Sequence, residues 1–456
     1  MAPALSPDEL LDLDRRHVWH PYSPIDDPRP PLLVERAQGA RLHLQGGRSL
    51  LDGNSQWWTM GLGHNHPRLV AALTAQAERL CHVSLAGLTH EPAVRLAHEL
   101  AQVAPAGLTR VFFSDDGSTA VEAAIKMAVQ YFAQTGRPGK TKLVGLVDAF
   151  HGETAGVASL GGVDVYRRAS GPLLFDALHV PTPAVPAGAA AATVDLDANA
   201  AAAFASVNTL LAERGHEIAA VIVEPIVQAA AGMQIYPASY LAELRAACTR
   251  HDVLLIADEV FTGYGRTGPM WACDHAQIAP DLMCLGKTFA GGMLPIAATL
   301  ATEKIAQAFG GSRARAFLHG HTFCGNPLGT AVAHEALAVM RDEDVLGGVT
   351  RKSKKLRATI DALAAQLGPR AVRPRALGMI CALDLVVGSV AGDVGGGYLG
   401  GVGWRAYDEG LARGAYMRPL GDTVYLAPPL TISDAELDEL CAIFVAAVTA
   451  ALGGKP

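Results

Sequence analysis

The stretch LLIADEVFTGYGRTG, residues 254–268, decides the fold. Apolar residues without polar alternation run into two adjacent carboxylates, Asp258 and Glu259, and then into a polar, glycine-rich passage. A short apolar run of this kind reads as a strand buried on both faces, the texture of a parallel sheet covered by helices. The same texture recurs in TRVFFSD, KLVGLVD, AAVIVEP and LMCLG, alternating with helical patterns such as STAVEAAIKMAVQYFAQTG and PASYLAELRAACTRHD. The expected architecture is therefore α/β, a large doubly wound and mostly parallel sheet.

Working outward, the expected organisation is an N-terminal segment over 1–64, a large domain over 65–345 and a C-terminal segment over 346–456, the two terminal pieces making a smaller α+β unit. A helix in PDELLDLDRR, a hairpin in ARLHLQGGRSLLDG and a capped helix from SDAELDEL supply its elements. With 456 residues, half of them hydrophobic, and a net charge of -7, the chain carries neither the basic footprint of a nucleic-acid binder nor a polybasic membrane patch. Seven scattered cysteines with no Cys-x-x-Cys pair argue against a disulfide framework and a zinc ribbon. The N-terminus lacks the basic start and apolar middle of a signal peptide, so a cytoplasmic enzyme is expected. The Ala/Pro-rich passage 183–203 reads as a surface loop or helix start. The glycine-rich passage 392–403 reads as a loop, and its literal G-x-G-x-x-G at 395–400 has no acid at the ribose distance.

The carboxyl ends of parallel strands are where open α/β sheets bind ligands, and Asp258 sits at one. In PDLMCLGKTFAGG, Lys287 follows another apolar strand 287 − 258 = 29 residues later, which brings both residues to one sheet edge. Each alone has an ordinary use, a turn cap or a solvated loop lysine. Together they match pyridoxal 5'-phosphate, which takes a lysine on its aldehyde and an acid on its ring nitrogen. An ion pair at ~4 Å with an effective dielectric near 20 is worth about 4 kcal/mol, or about three pK units, enough to keep the ring nitrogen protonated. For the phosphate, SDDGSTAVEAAIK leads from a strand end through Gly117 and Ser118 into a helix N-terminus, with Thr322 of HGHTFCGNP as a second hydroxyl. Phe150 in DAFHGET is the candidate to stack on the ring, core packing being its rival use. His319 and His321 invite a metal, but no matching cluster of carboxylates or cysteines is visible in the sequence, and no metal is expected.

Taken in order, SDDGSTAVEAAIK, FHGET, VIVEPIVQ, LLIADEVFTGYGRTG, CLGKTFAGG and HGHTFCGNPLG resemble the class III aminotransferases of pyridoxal-phosphate fold type I, over about residues 17–435. WHPY (19–22), DGNSQWWTMGLGHNHP (52–67), HVSLAGLTHEPA and MRPLGDTVYLAPP look like the members that aminate 8-amino-7-oxononanoate to 7,8-diaminononanoate in biotin synthesis. Their usual donor is S-adenosylmethionine, lysine in some. The resemblance implies that Lys287 carries the Schiff base and Asp258 holds the ring nitrogen. It gives Gly117, Ser118 and Thr322 to the phosphate, Thr322 across a homodimer interface. Tyr22, Trp57 and Trp58 would line the substrate tunnel, and Arg418 and Tyr425 would receive the substrate carboxylate.

An aromatic wall with one guanidinium suits a long aliphatic chain ending in a carboxylate, although paired tryptophans are ordinarily core residues and Arg418 has a surface ion pair as its plain alternative. Three positions depart from the family pattern: Phe150 for its tyrosine, Glu153 for its aspartate, and Asp116 for the serine before the phosphate glycine. They leave the amino donor open, and an ω-amine or diamine transaminase of the same class is the rival. Glu259 is expected to have a structural role, capping or pairing with Arg266.

Overall fold

The computed structural model describes residues 5–185, 195–386 and 401–453. Its centre is a seven-stranded sheet in the order Leu108–Ser114, Ala297–Thr302, Leu282–Leu285, Leu254–Asp258, Ile218–Val223, Lys142–Leu146 and Leu178–Val180. Ile218–Val223 and Leu254–Asp258 are buried at every residue, as continuous apolar runs must be when both faces are covered. Side chains alternate between the two faces. Ile222, Leu254, Ile256 and Cys284 pack with Val121, Ile125, Ala128 and Phe132 of the helix Gly117–Gln134. Val221, Val223 and Leu255 turn to the other side, against the helix Ala238–Arg250.

Six strands are parallel, and Ala297–Thr302 runs antiparallel to both of its neighbours. Its sequence, AATLAT, is small and only mildly apolar, and it is not among the strands expected from sequence. The reason for its direction is length. The connection over 286–296 is too short for the covered crossover that a parallel strand requires, so the chain turns back at the sheet edge.

The two ends of the chain meet. Ala415–Tyr416 adds in parallel to Ser49–Asp52, next to the expected hairpin Arg41–Leu44/Ser49–Asp52. Thr423–Leu426 joins Ile380–Leu385 and Ala371–Leu377 in a three-stranded antiparallel sheet. The expected helices are present at Pro7–His17 and Asp434–Ala451, with full capping boxes at Ser6/Glu9 and Ser433/Glu436, and a long helix spans Val345–Leu367. The glycines of 395–400 and part of the 183–203 passage lie outside the described residues.

Candidate active site

Parallel pairing sets Asp258 opposite Cys284, so Lys287, past Gly286, stands at the same carboxyl edge of the sheet. Lys287 has a left-handed backbone (φ +48°), a strained state for a residue with a Cβ. Its side chain keeps a small solvent exposure while protein atoms crowd the amine. Nζ lies 4.9 Å from the Trp58 ring and 5.7 Å from Phe261. Burial pushes its pKa down, against the opposing pull of Asp258 and Glu224. An amine of this kind gives up its proton more readily than a solvated lysine.

Asp258 is buried and doubly held. Its Oδ2 accepts from Nδ1 of His151 at 2.7 Å and its Oδ1 from the Val260 N–H at 3.1 Å. Bonding to a carboxylate fixes the proton of His151 on Nδ1. The other ring nitrogen, Nε2, is buried without a hydrogen-bond partner among the described residues. Nearby, Glu224 follows the strand Ile218–Val223 and accepts from the N–H groups of Phe150 (3.0 Å) and Ala229 (2.9 Å). Burial pushes its pKa up to about 7, with His151 pulling down and Asp258 adding to the rise. Neither His151 nor Glu224 was singled out from sequence. The signal for Glu224 was present, since it ends an apolar strand just as Asp258 does.

The helix Gly117–Gln134 starts beside them. Asp116, which stands where the family pattern has a serine, is the N-cap, accepting from the Thr119 N–H at 2.9 Å. Gly117 is required by packing, because a Cβ there would stand 2.6 Å from Val260 Cγ1. Ser118 Oγ accepts from the Glu153 N–H at 3.3 Å, which leaves its own O–H proton to donate. A Cβ on Gly152 would come within 2.1 Å of that oxygen, so the glycine keeps the hydroxyl accessible at the helix N-terminus. Thr322 lies in an exposed turn. That turn is drawn toward the strand end by His321 Nδ1 on Asp115 Oδ2 at 3.0 Å. Asp115, His321 and Cys324 each offer a metal-ligand atom within 4.8 Å of one another, and Asp115 is a partner that spacing along the chain could not reveal. Hydrogen bonds already join them, since the His321 N–H donates to Cys324 Sγ.

The wall is aromatic. Trp58, nearly buried, donates from Nε1 to Tyr425 Oη at 3.1 Å and meets Phe261 edge-on at 4.8 Å. Trp57, Tyr22, Tyr166 and Phe150 follow as a chain of rings with centroids 5.0, 5.9 and 5.2 Å apart. Tyr22 Oη donates to Glu153 Oε1 at 2.6 Å, so the two departures at 150 and 153 both face this chain. Tyr166 and Phe261 carried no sequence signal. Arg418 sits over the ring of Trp404 at 4.9 Å.

The tryptophans are set by backbone. Ser55, Gln56, Trp57 and Trp58 have φ of +50°, +46°, +56° and +70°, four consecutive non-glycine residues in the left-handed region. Each costs about 1–2 kcal/mol, so the turn persists only because it is clamped. Asp52 Oδ1 accepts from the Asn54 and Gln56 N–H groups, and Ser55 Oγ donates to the Ala427 carbonyl at 2.7 Å. Arg266, wholly buried, reaches Ser55 Oγ and the carbonyls of Met379 and Pro428. The expected Glu259–Arg266 pair is therefore not formed. Glu259 accepts from Thr262 Oγ1 (2.5 Å) and the Cys273 N–H (2.9 Å), and burial pushes its pKa up to about 7.

Comparison with known proteins places this geometry in a family. The family model for aminotransferase class-III matches residues 22–448. The adenosylmethionine-8-amino-7-oxononanoate aminotransferase of Nitratidesulfovibrio vulgaris is 41% identical over 447 residues, 94% of this chain and 80% of that one. The crystal structure of the enzyme of the same name from Methanocaldococcus jannaschii superposes with a TM-score of 0.88 at 32% identity, covering 97% of this chain and 99% of the other. An amine transaminase from an uncultivated Pseudomonas species, in its PLP-bound form, gives 0.86 at 32% identity, covering 96% and 98%.

Proposed function

The chain belongs to the class-III aminotransferases, and from that premise we propose that it makes 7,8-diaminononanoate from 8-amino-7-oxononanoate, with S-adenosylmethionine as amino donor, as a step of biotin synthesis. The cofactor is pyridoxal 5'-phosphate. The residues fit it. A crowded lysine and a buried carboxylate converge at adjacent strand ends, a helix N-terminus with a free hydroxyl proton lies beside them, and aromatic rings flank the gap. Bound there, the cofactor supplies the electron sink that makes a carbon–hydrogen bond next to the amine acidic.

The protein's part is proton handling and orientation. Lys287, its pKa lowered by burial, would anchor the cofactor and then carry a proton between its amine and the substrate carbon. Asp258, held on both oxygens, offers a fixed negative charge to the ring nitrogen, and His151 keeps it aimed. Ser118 and the N–H groups at the start of Gly117–Gln134 would take the phosphate. Thr322, exposed in its turn, would serve a second copy in a homodimer. Phe150 would cover the ring, Tyr22, Trp57 and Trp58 the aliphatic chain, and Arg418 with Tyr425 the distal carboxylate. The division at about 64 and 346 belongs to the same reading, as does a cytoplasmic site of action. No helix among the described residues is long and apolar enough to cross a membrane.

The observation that carries the reading is the convergence of Asp258 and Lys287 against the Trp58–Tyr425 wall. The test is purified enzyme with 8-amino-7-oxononanoate, offered S-adenosylmethionine, lysine or alanine in turn, with the diamine measured. Product from S-adenosylmethionine is expected. Product from none, with turnover of simple amines instead, would replace it with the ω-amine transaminase reading.

A further inference from the structure

Arg418 is a cation held in place with no carboxylate partner among the described residues. Its guanidinium lies 4.9 Å from the centre of the Trp404 ring, near the Tyr416 hydroxyl. A second guanidinium, that of Arg29 from the proline-rich N-terminal passage, lies 5.0 Å from the same ring. Two like charges around one indole would repel, but Arg29 is balanced by Asp408, with contacts of 3.3 and 3.4 Å to its two carboxylate oxygens. The arrangement therefore holds one net positive charge, and it belongs to Arg418. Trp404 is itself braced, edge-on to Tyr407 at 5.4 Å, which meets Tyr416 at 5.7 Å.

We propose that Trp404 and Arg29 are positioning residues for Arg418: the indole orients its guanidinium and the Arg29–Asp408 pair closes over the indole, so that a substrate carboxylate meets a preformed receptor. The inference rests on Arg418 being that receptor. Arginine side chains lose considerable freedom on binding, and a guanidinium already stacked has less to lose. A cation–π contact of this type corresponds to about three- to tenfold in affinity. The effect falls only on the partner that brings a distal carboxylate, while the donor half-reaction is left alone.

Four variants decide it: Arg418→Met, Trp404→Leu, Trp404→Phe and Arg29→Ala. Each is assayed for the Michaelis constant (KM) toward the keto substrate, for inhibition by nonanoate, and for the single-turnover rate with the amino donor. Trp404→Leu should raise KM and weaken nonanoate about three- to tenfold with the donor rate unchanged, Arg29→Ala should do the same more mildly, and Trp404→Phe should restore wild-type values. If Arg418→Met weakens both carboxylates but Trp404→Leu does not, the positioning role is wrong and the receptor stands. If Arg418→Met changes neither, the receptor is wrong and this inference falls with it. Equal losses in both half-reactions of Trp404→Leu would mean general damage and would also overturn the proposal.

Discussion

Replacing Glu259 by Gln isolates the cost of a buried acid that the cofactor site does not use. In the native protein its pKa is pushed up from 4.5 to about 7 by burial. The folded state therefore holds this proton more tightly than the unfolded chain, and the stability it contributes is full below about pH 4.5 and lost as pH rises through about 7. A rise of that size integrates to about 3 kcal/mol, of which about 2.5 kcal/mol is lost between pH 5 and pH 8.5, as an order of magnitude. Gln is isosteric and keeps both bonds, because its carbonyl can accept from the Cys273 N–H while the Thr262 hydroxyl turns to accept from its amide. Glu259→Gln should thus gain on the wild type by about 2–3 kcal/mol between pH 5 and pH 8.5. Urea unfolding at both pH values, at one protein concentration, reads the difference. Parallel pH profiles for the two proteins would refute the buried-acid account.

Lys287→Ala should abolish multiple turnover and leave the far-ultraviolet circular dichroism unchanged. Gln56→Gly should be more stable than Gln56→Ala by about 1 kcal/mol in the same urea assay, the reverse of their order in an ordinary helix, because only glycine relieves a left-handed position. Equal stability would mean that the turn is unstrained. Gly117→Ala should cost about 1–3 kcal/mol through its clash with Val260 and loosen the cofactor, and Val260→Ala in the same chain should recover most of the loss. Cofactor dissociation measured by equilibrium dialysis checks the second part.

Buried parallel strands are legible because nothing but an apolar run can occupy them, and their register then carries Asp258 and Lys287 to one edge without further information. The helix N-terminus at Gly117 and the Ser433 cap were legible for the same local reason, a short polar residue at the start of a periodic run. What escaped depends on distance along the chain. His151 reaches Asp258 over 107 residues, and Asp115 reaches His321 over 206, with no pattern to announce either. The left-handed turn at Ser55–Trp58 escaped because its sequence contains no glycine, and its clamps come from Asp52, Ala427 and Arg266. Glu259 has the structural role expected of it, but its partners are Thr262 and Cys273, because Arg266 is used to hold that turn.

The central claim is that the amine at residue 287 is the one that holds the cofactor. Borohydride reduction of the purified holoenzyme followed by peptide mass mapping tests it directly. A pyridoxyl phosphate adduct on the peptide containing Lys287, absent from Lys287→Ala, is the predicted result. An adduct on another lysine, or none in an enzyme that still transaminates, would contradict it.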